Sequence, residues 1–386
     1  MKMIKKLIAA AASAGIVSLS STAPAFAAVN ITFTGNGSGS NNAATITNSD
    51  TVVLNQTNDA SINNTTDIST ETGGNSADGN TTGNVTVDTG NASATSETTN
   101  AVNITTAVVG CDCPGDITLT ATGNGGDSNQ DFNIINTNDY TANQFNTASV
   151  TNTTNMDVDS GDNTADDNTN GEVKVTTGDA TGVSTITNDP INDNYVAFGG
   201  NTDGEGDIMV TVTGNGSDST TDVDLTFVND IDFNQVNDAD VLNSVDMDVE
   251  SGGNSADDNT GGNVTIDTGK VDATVDVDNS VNFNYATADC CIADVTGTVS
   301  GNGSDSDNTV DYTDRQDVTA NQFNDCGTGN AGGDCDTSVL VDGDSGDNTG
   351  DDNTTGEVKV ETGSSTTRVD VDNVINDNAY NPPPSL

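Results

Sequence analysis

The sequence predicts an all-β fold: a right- or left-handed β-solenoid of about 17-residue coils, grouped in four repeats of about 90 residues. Three observations predict it. Short motifs recur at near-constant spacing. Val, Ile and Ala alternate with Thr and Asp in the two-residue period of a strand, and no helical apolar period follows the first residues.

Taken in order, the chain opens with Lys2, Lys5 and Lys6, an apolar run from Leu7 to Val17, and a small-x-small site at Ala25-Phe26-Ala27. This is the pattern of an export signal over residues 1–27, so the mature chain is expected outside the cell or on its surface. No later stretch approaches the roughly 18 apolar residues of a membrane helix, and membrane insertion is not expected. Repeats then span 28–116, 117–207, 208–294 and 295–380, followed by a Pro-rich tail, 381–386.

Four anchors mark each repeat. Thr/Ser-Gly-Asn begins at Thr34, Thr122, Thr213 and Ser300, at intervals of 88, 91 and 87 residues, and Asn-Gln-x-Asn begins 21 residues later at Asn55, Asn143, Asn234 and Asn321. A Thr/Ser-Gly pair follows at Thr72, Ser160 and Ser251, each 17 residues on, and at Ser345, 24 residues on; a last anchor lies 17 further at Thr89, Thr177, Thr268 and Thr362. Equal steps suit coils that stack like residue on like, with Asn forming hydrogen-bonded ladders and Gly turning the corners. Some 20 coils would make a rod on the order of 95 Å long. The alternative is four tandem immunoglobulin-like β-sandwich domains, since 90 residues also suits one of those.

The chain carries a formal charge of −52, and without residues 1–27 only Lys174, Lys270, Arg315, Lys359 and Arg368 face 60 acidic residues. Such a polyanion excludes nucleic acid as a partner and attracts divalent cations. His is absent, which removes His-based nucleophilic triads and metal catalysis. Acidic pairs recur in every repeat, whereas an active site departs from the repeat; no enzyme is expected. The acids gather in three runs: Asp157, Asp159, Asp162, Asp166 and Asp167; Asp246, Asp248, Glu250, Asp257 and Asp258; Asp342, Asp344, Asp347, Asp351 and Asp352. Close-set carboxylates suit calcium, a hard cation wanting six to eight oxygens. The competing reading is a solvated acidic face that guards exposed strand edges.

Six cysteines in an exported chain argue for disulfides. Cys326 and Cys335 bracket the extra seven residues of the fourth repeat, and a bridge closing that loop is expected. Cys111/Cys113 and Cys290/Cys291 occupy equivalent junctions two repeats apart. With five coils per repeat those junctions would lie on the order of 50 Å apart, beyond the roughly 7 Å Cα limit of a disulfide, leaving local closure or links between chains.

At the third anchor the residues read Gly-x-Asn-x-Ala: Gly73/Asn75/Ala77, Gly161/Asn163/Ala165 and Gly252/Asn254/Ala256, with Gly350 in place of Ala in the fourth. This resembles the repeat core of curlin, the secreted subunit of curli fibres, with an acid (Glu71, Asp159, Glu250, Asp344) where that repeat has Gln. The resemblance implies a self-assembling extracellular β-solenoid. The sequence expectation is a secreted structural or adhesive surface or matrix protein, calcium-dependent or not, whose partners are cell-surface components or itself.

Overall fold

The computed structural model describes residues 5–8, 12–21, 28–111, 115–199, 206–290, 294–327 and 335–381. Strands β1 (Lys5–Ile8) and β2 (Ala12–Ser21) come first. One layer follows: β3 (Val29–Thr34), β4 (Asn41–Glu71), β5 (Val85–Asp88) and β6 (Ala92–Val109). The second holds β7 (Ile117–Thr122), β8 (Asn129–Asp159), β9 (Val173–Thr176) and β10 (Ala180–Gly199). The third holds β11 (Ile208–Thr213), β12 (Thr220–Glu250), β13 (Val264–Asp267) and β14 (Val271–Asp289). In the fourth are β15 (Val295–Ser300), β16 (Asp307–Asp325), β17 (Asp336–Asp344), β18 (Val358–Glu361) and β19 (Ser365–Asn381). No helix occurs among the described residues.

Pairing is parallel throughout and runs between repeats, not within them. Asn55 pairs with Asn143, Asn143 with Asn234, and Asn234 with Asn321. The stacking step is therefore a whole repeat of about 90 residues, and the expected 17-residue coil is not formed. Nor is a tandem sandwich, whose strands would pair inside each repeat. Four layers at about 4.8 Å make a stack on the order of 20 Å high, while a 31-residue strand at about 3.3 Å per residue runs on the order of 100 Å. The fold is a wide slab of stacked sheets rather than a long rod.

The sequence explains both dimensions. No Gly or Pro interrupts Asn41–Glu71, Asn129–Asp159 or Thr220–Glu250, so the alternating pattern has no corner at which to turn. The constant 17-residue interval between the third and fourth anchors measures the arc that follows the long strand. Across it Thr72 Oγ1 donates to Gly90 O at 2.8 Å, and Ser160, Ser251 and Ser345 donate to Gly178, Gly269 and Gly363 at 2.7–2.9 Å. The first Gly of the Gly-x-Asn-x-Ala core sits where layers touch: a Cβ on Gly161 would lie 1.8 Å from Gly252 O.

Inside the slab the long strands face the returning ones. Phe132 and Ile134 pack on Ile117 and Leu119, Tyr140 and Ala142 on Val196 and Phe198, and Met156 and Val158 on Ala180 and Val271. Between these apolar stretches run buried amides. Asn188 accepts from Asn100 (2.7 Å) and Asn152 (3.1 Å) and donates to Asn243 (3.1 Å) and Asn279 (2.7 Å), so one side chain joins three layers and both sheets. Gln144 likewise donates to Gln56 at 2.7 Å and receives from Gln235 at 2.8 Å. Such amides repay desolvation only because every layer presents the same group at the same height.

The cysteines follow the same geometry. Cys326 and Cys335 are joined, closing the insertion between β16 and β17. Cys111 is joined to Cys290, with Cα atoms 5.4 Å apart, and this corrects the expectation of local or interchain links for those two residues. The junctions are two layers apart instead of ten coils, nominally about 9.6 Å. Pairing of β10 with its neighbours ends at Phe198 and Gly199, beyond which the flanking layers close on each other. Cys113, Cys291 and residues 382–386 of the tail lie outside the described residues.

Two outcomes follow. Asn188→Ala removes four hydrogen bonds from a buried column, whose members keep their bonds to one another, at about 0.5–1.5 kcal/mol each, so urea denaturation should register a loss of roughly 2–6 kcal/mol. Asn129→Ala, on the surface, should change little. Cys111→Ser opens a loop with a sequence separation of 179 and Cys335→Ser one of 9. Chain entropy assigns roughly 5 and roughly 3 kcal/mol to these, and the first variant should show the lower denaturation midpoint.

Candidate functional site

Stacking sorts the acids of the three runs into columns. Asp157, Asp248 and Asp342 pair in register near the end of the long strands, with Ser69 in the first layer. Asp159, Glu250 and Asp344 form the next outward column, joined by Glu71. Asp246 stands apart from this pattern, because its partners are Asn155 and Leu340.

The remaining acids lie in the arc. Asp162 and Asp347 have φ of 58° and 53°, and the equivalent positions in the other layers are Gly74 and Gly253, at 72° and 71°. Asp167, Asp258 and Asp352 have φ of 59°, 53° and 51°, matched by Gly79 at 69°. Asp, Asn and Gly are the residues that tolerate this left-handed region, so these two columns are occupied for their backbone shape. The exchange of Gly for Asp between repeats was the sequence signal of that role.

Asp166 and Asp257 bind neighbouring layers directly. Asp166 Oδ1 accepts the Asp257 N–H at 2.6 Å and the Ser255 hydroxyl at 2.8 Å. Asp257 Oδ1 then accepts the Asp351 N–H at 2.5 Å, and its Oδ2 the hydroxyl of Thr349 at 3.0 Å. Asp159 and Asp344 each accept the N–H two residues ahead, from Gly161 and Gly346, at 2.5 and 2.6 Å. These oxygens are committed to the fold. Among the described residues no three His, Cys, Asp or Glu side chains converge as a metal cluster would.

The columns are electrostatically uncompensated. The carboxyl of Glu250 is pushed up to about 7 by burial first and then by Asp162, Asp159, Asp248 and Asp344. Asp159 is also raised, by burial and by Asp162, Glu71 and Asp157, against the lowering effect of the Gly161 N–H. Burial, Asp342, Asp157 and Asp246 raise Asp248. Ion pairs form elsewhere, in the fourth layer: Lys359 with Glu361 at 2.7 Å, Arg368 with Asp370 at 2.8 Å, and Arg315 with Asp230 and Asp317. All are solvent-exposed and contribute little.

A second surface feature was not singled out from the sequence. On the outer face of the long strands, Asn143, Phe145, Asn234, Val236, Asn321 and Phe323 line an open groove of about 590 Å³. Its signal was present in the second anchor, whose variable position is Thr57, Phe145, Val236 and Phe323 in the four repeats. No protein-family model, curated protein or solved structure matches the chain.

The pH dependence has a defined sign. A carboxyl whose pKa is higher in the folded chain than in the unfolded one binds its proton more tightly when folded, so its contribution to stability falls as pH rises from about 4.5 through 7. Thermal melting between pH 8 and pH 5 should therefore show Tm rising on acidification, and Glu250→Gln should flatten that rise.

Proposed function

We propose that this protein is an extracellular, non-enzymatic structural and adhesive element of a surface or matrix. What supports the reading most is that the layers repeat one architecture instead of building a singular site: amide columns, apolar stretches and acidic arcs recur layer after layer. A sequence without His adds to this. The two disulfides are compatible with an oxidising, extracellular setting. Among the described residues no helix is long and apolar enough to cross a membrane.

A second reading, self-assembly by stacking of copies, is favoured by the open edges. Among the described residues, strands β3, β4 and β5 on one side and β15 to β19 on the other have a partner on a single edge only. β1 and β2 cover the outer edge of β6, and removal of residues 1–27 as an export signal would free it too. The exposed layers carry matching groups: Gln56 and Gln322, Asn58 and Asn324, Asn75 and Asn348, Asn100 and Asn373 all belong to continuing amide columns. A fourth layer set on another copy's first layer would extend them. Calcium enters this reading as a counter-ion that screens the acidic columns, which otherwise oppose stacking.

Electron microscopy of residues 28–386, with and without calcium, tests both readings. Filaments with a cross-β spacing, promoted by calcium or by pH below 6, are the expected outcome of stacking. Discrete slabs under every condition would leave the single-copy structural role, and strings of separate globules would refute both.

A further inference from the structure

The groove on the outer face combines three properties that belong together in a binding site. The first is a continuous amide ladder. Asn143 donates to Asn55 at 2.8 Å, Asn234 to Asn143 at 2.9 Å and Asn321 to Asn234 at 3.0 Å. A primary amide has two N–H donors and two carbonyl lone pairs; the ladder uses one of each at Asn143 and Asn234 and one donor at Asn321, so the others remain available to whatever lies in the groove.

The second is exposed aromatic surface. Phe145 is 41% exposed and Phe323 57%, in a chain with nine Phe, five Tyr and no Trp. Both rings sit in one column with Val236 between them. Exposed rings beside directed polar groups, in a groove of ordinary ligand-site volume, are the features of a recognition surface.

The third is charge. No titratable side chain lines the groove, although Asp232 and Asp238 flank it on the same strand and the whole chain stands at −52. An anionic ligand is repelled by that field. A neutral ligand rich in hydroxyls meets no such barrier.

From these we infer that the groove binds an uncharged β-1,4-linked glycan, laid along the stack with about one ring per layer. The period favours this linkage. In such a chain successive rings are turned over, so equivalent faces recur at every second ring. Phe145 and Phe323 recur at every second layer, roughly 9.6 Å apart. Each phenyl ring would then cover the C–H face of a sugar, while Asn143, Asn234 and Asn321 bond its hydroxyls. The inference deepens the adhesive part of the proposed function and does not depend on whether copies stack.

The test uses residues 28–386 and two insoluble probes, microcrystalline cellulose and chitin, with cellohexaose and chitohexaose for calorimetry. Retention on at least one solid and a measurable affinity for the matching hexaose are expected. Phe323→Ala and Phe145→Ala should each weaken binding at least tenfold at unchanged Tm, and Phe323→Tyr should preserve it. Failure of the parent chain to bind either glycan overturns the inference. So does undiminished binding by the folded double variant Phe145→Ala/Phe323→Ala, or equal retention on anionic polygalacturonate. If the Phe variants abolish association between copies in sedimentation while glycan is never bound, the groove is a contact between copies instead. Filament imaging reads the structural proposal separately, so either idea can fail alone.

Discussion

The buried amide column is the constraint on which the rest of the structure depends. An Asn in the interior is tolerated only when the layers above and below present an Asn, or a comparable hydrogen-bonding group, at the same height. Asn64, Asn152 and Asn243, and opposite them Asn100, Asn188 and Asn279, interlock in this way. A slip of one residue along a strand would turn every inward group outward. The columns therefore fix the register of strands far longer than the usual five or six residues. They also dictate where length can vary. The fourth repeat places its insertion between β16 and β17. The second accommodates Asp189-Pro190 at a bulge between Asn188 and Ile191, after which the register with both neighbours resumes.

Between the columns the apolar groups range from Ala and Val to fully buried Phe and Tyr, and at some positions little room is left. Ala94, Gly182 and Ala273 share one column, and a Cβ on Gly182 would come within 2.8 Å of Val249. Larger rings are buried together elsewhere, as with Tyr140, Phe198 and Phe233 at centroid distances of 5.3–5.6 Å. Against this cohesion stand the outward acids, whose mutual repulsion grows with each added layer. An amide-bonded interior is thus set against a self-repelling rim within one stack of layers.

Much of this was legible in the sequence, but at the wrong scale. The 88- and 91-residue intervals between anchors are the stacking offsets themselves, and Asn ladders were foreseen. The 17-residue echo was misread because spacing alone does not say which copies of a motif become neighbours. Absence of Gly and Pro from the 31-residue runs was the clue that no corner falls within them. The acidic runs looked like ligand sets because carboxylates cluster in the text. Only φ at Asp162 and Asp167, and the layer-to-layer bonds of Asp166 and Asp257, reveal that many of them are backbone-shaping or layer-bridging groups. The link between Cys111 and Cys290 was dismissed on a distance that followed from the wrong coil length. Phe145 and Phe323 escaped notice since single aromatic residues in a repeat acquire meaning only when stacked.

That same link bears on what happens if the protein is pulled from its two ends. Tension entering at either terminus passes through the sulfur bridge and bypasses the 179-residue span between its cysteines. The first and fourth layers, outside the bridge and each bonded to the stack through one face, can peel away from either end as far as Cys111 and Cys290, whereas the second and third layers lie within the bridged span. An anchored molecule would thus lengthen in limited steps while its central pair of layers kept their amide columns intact.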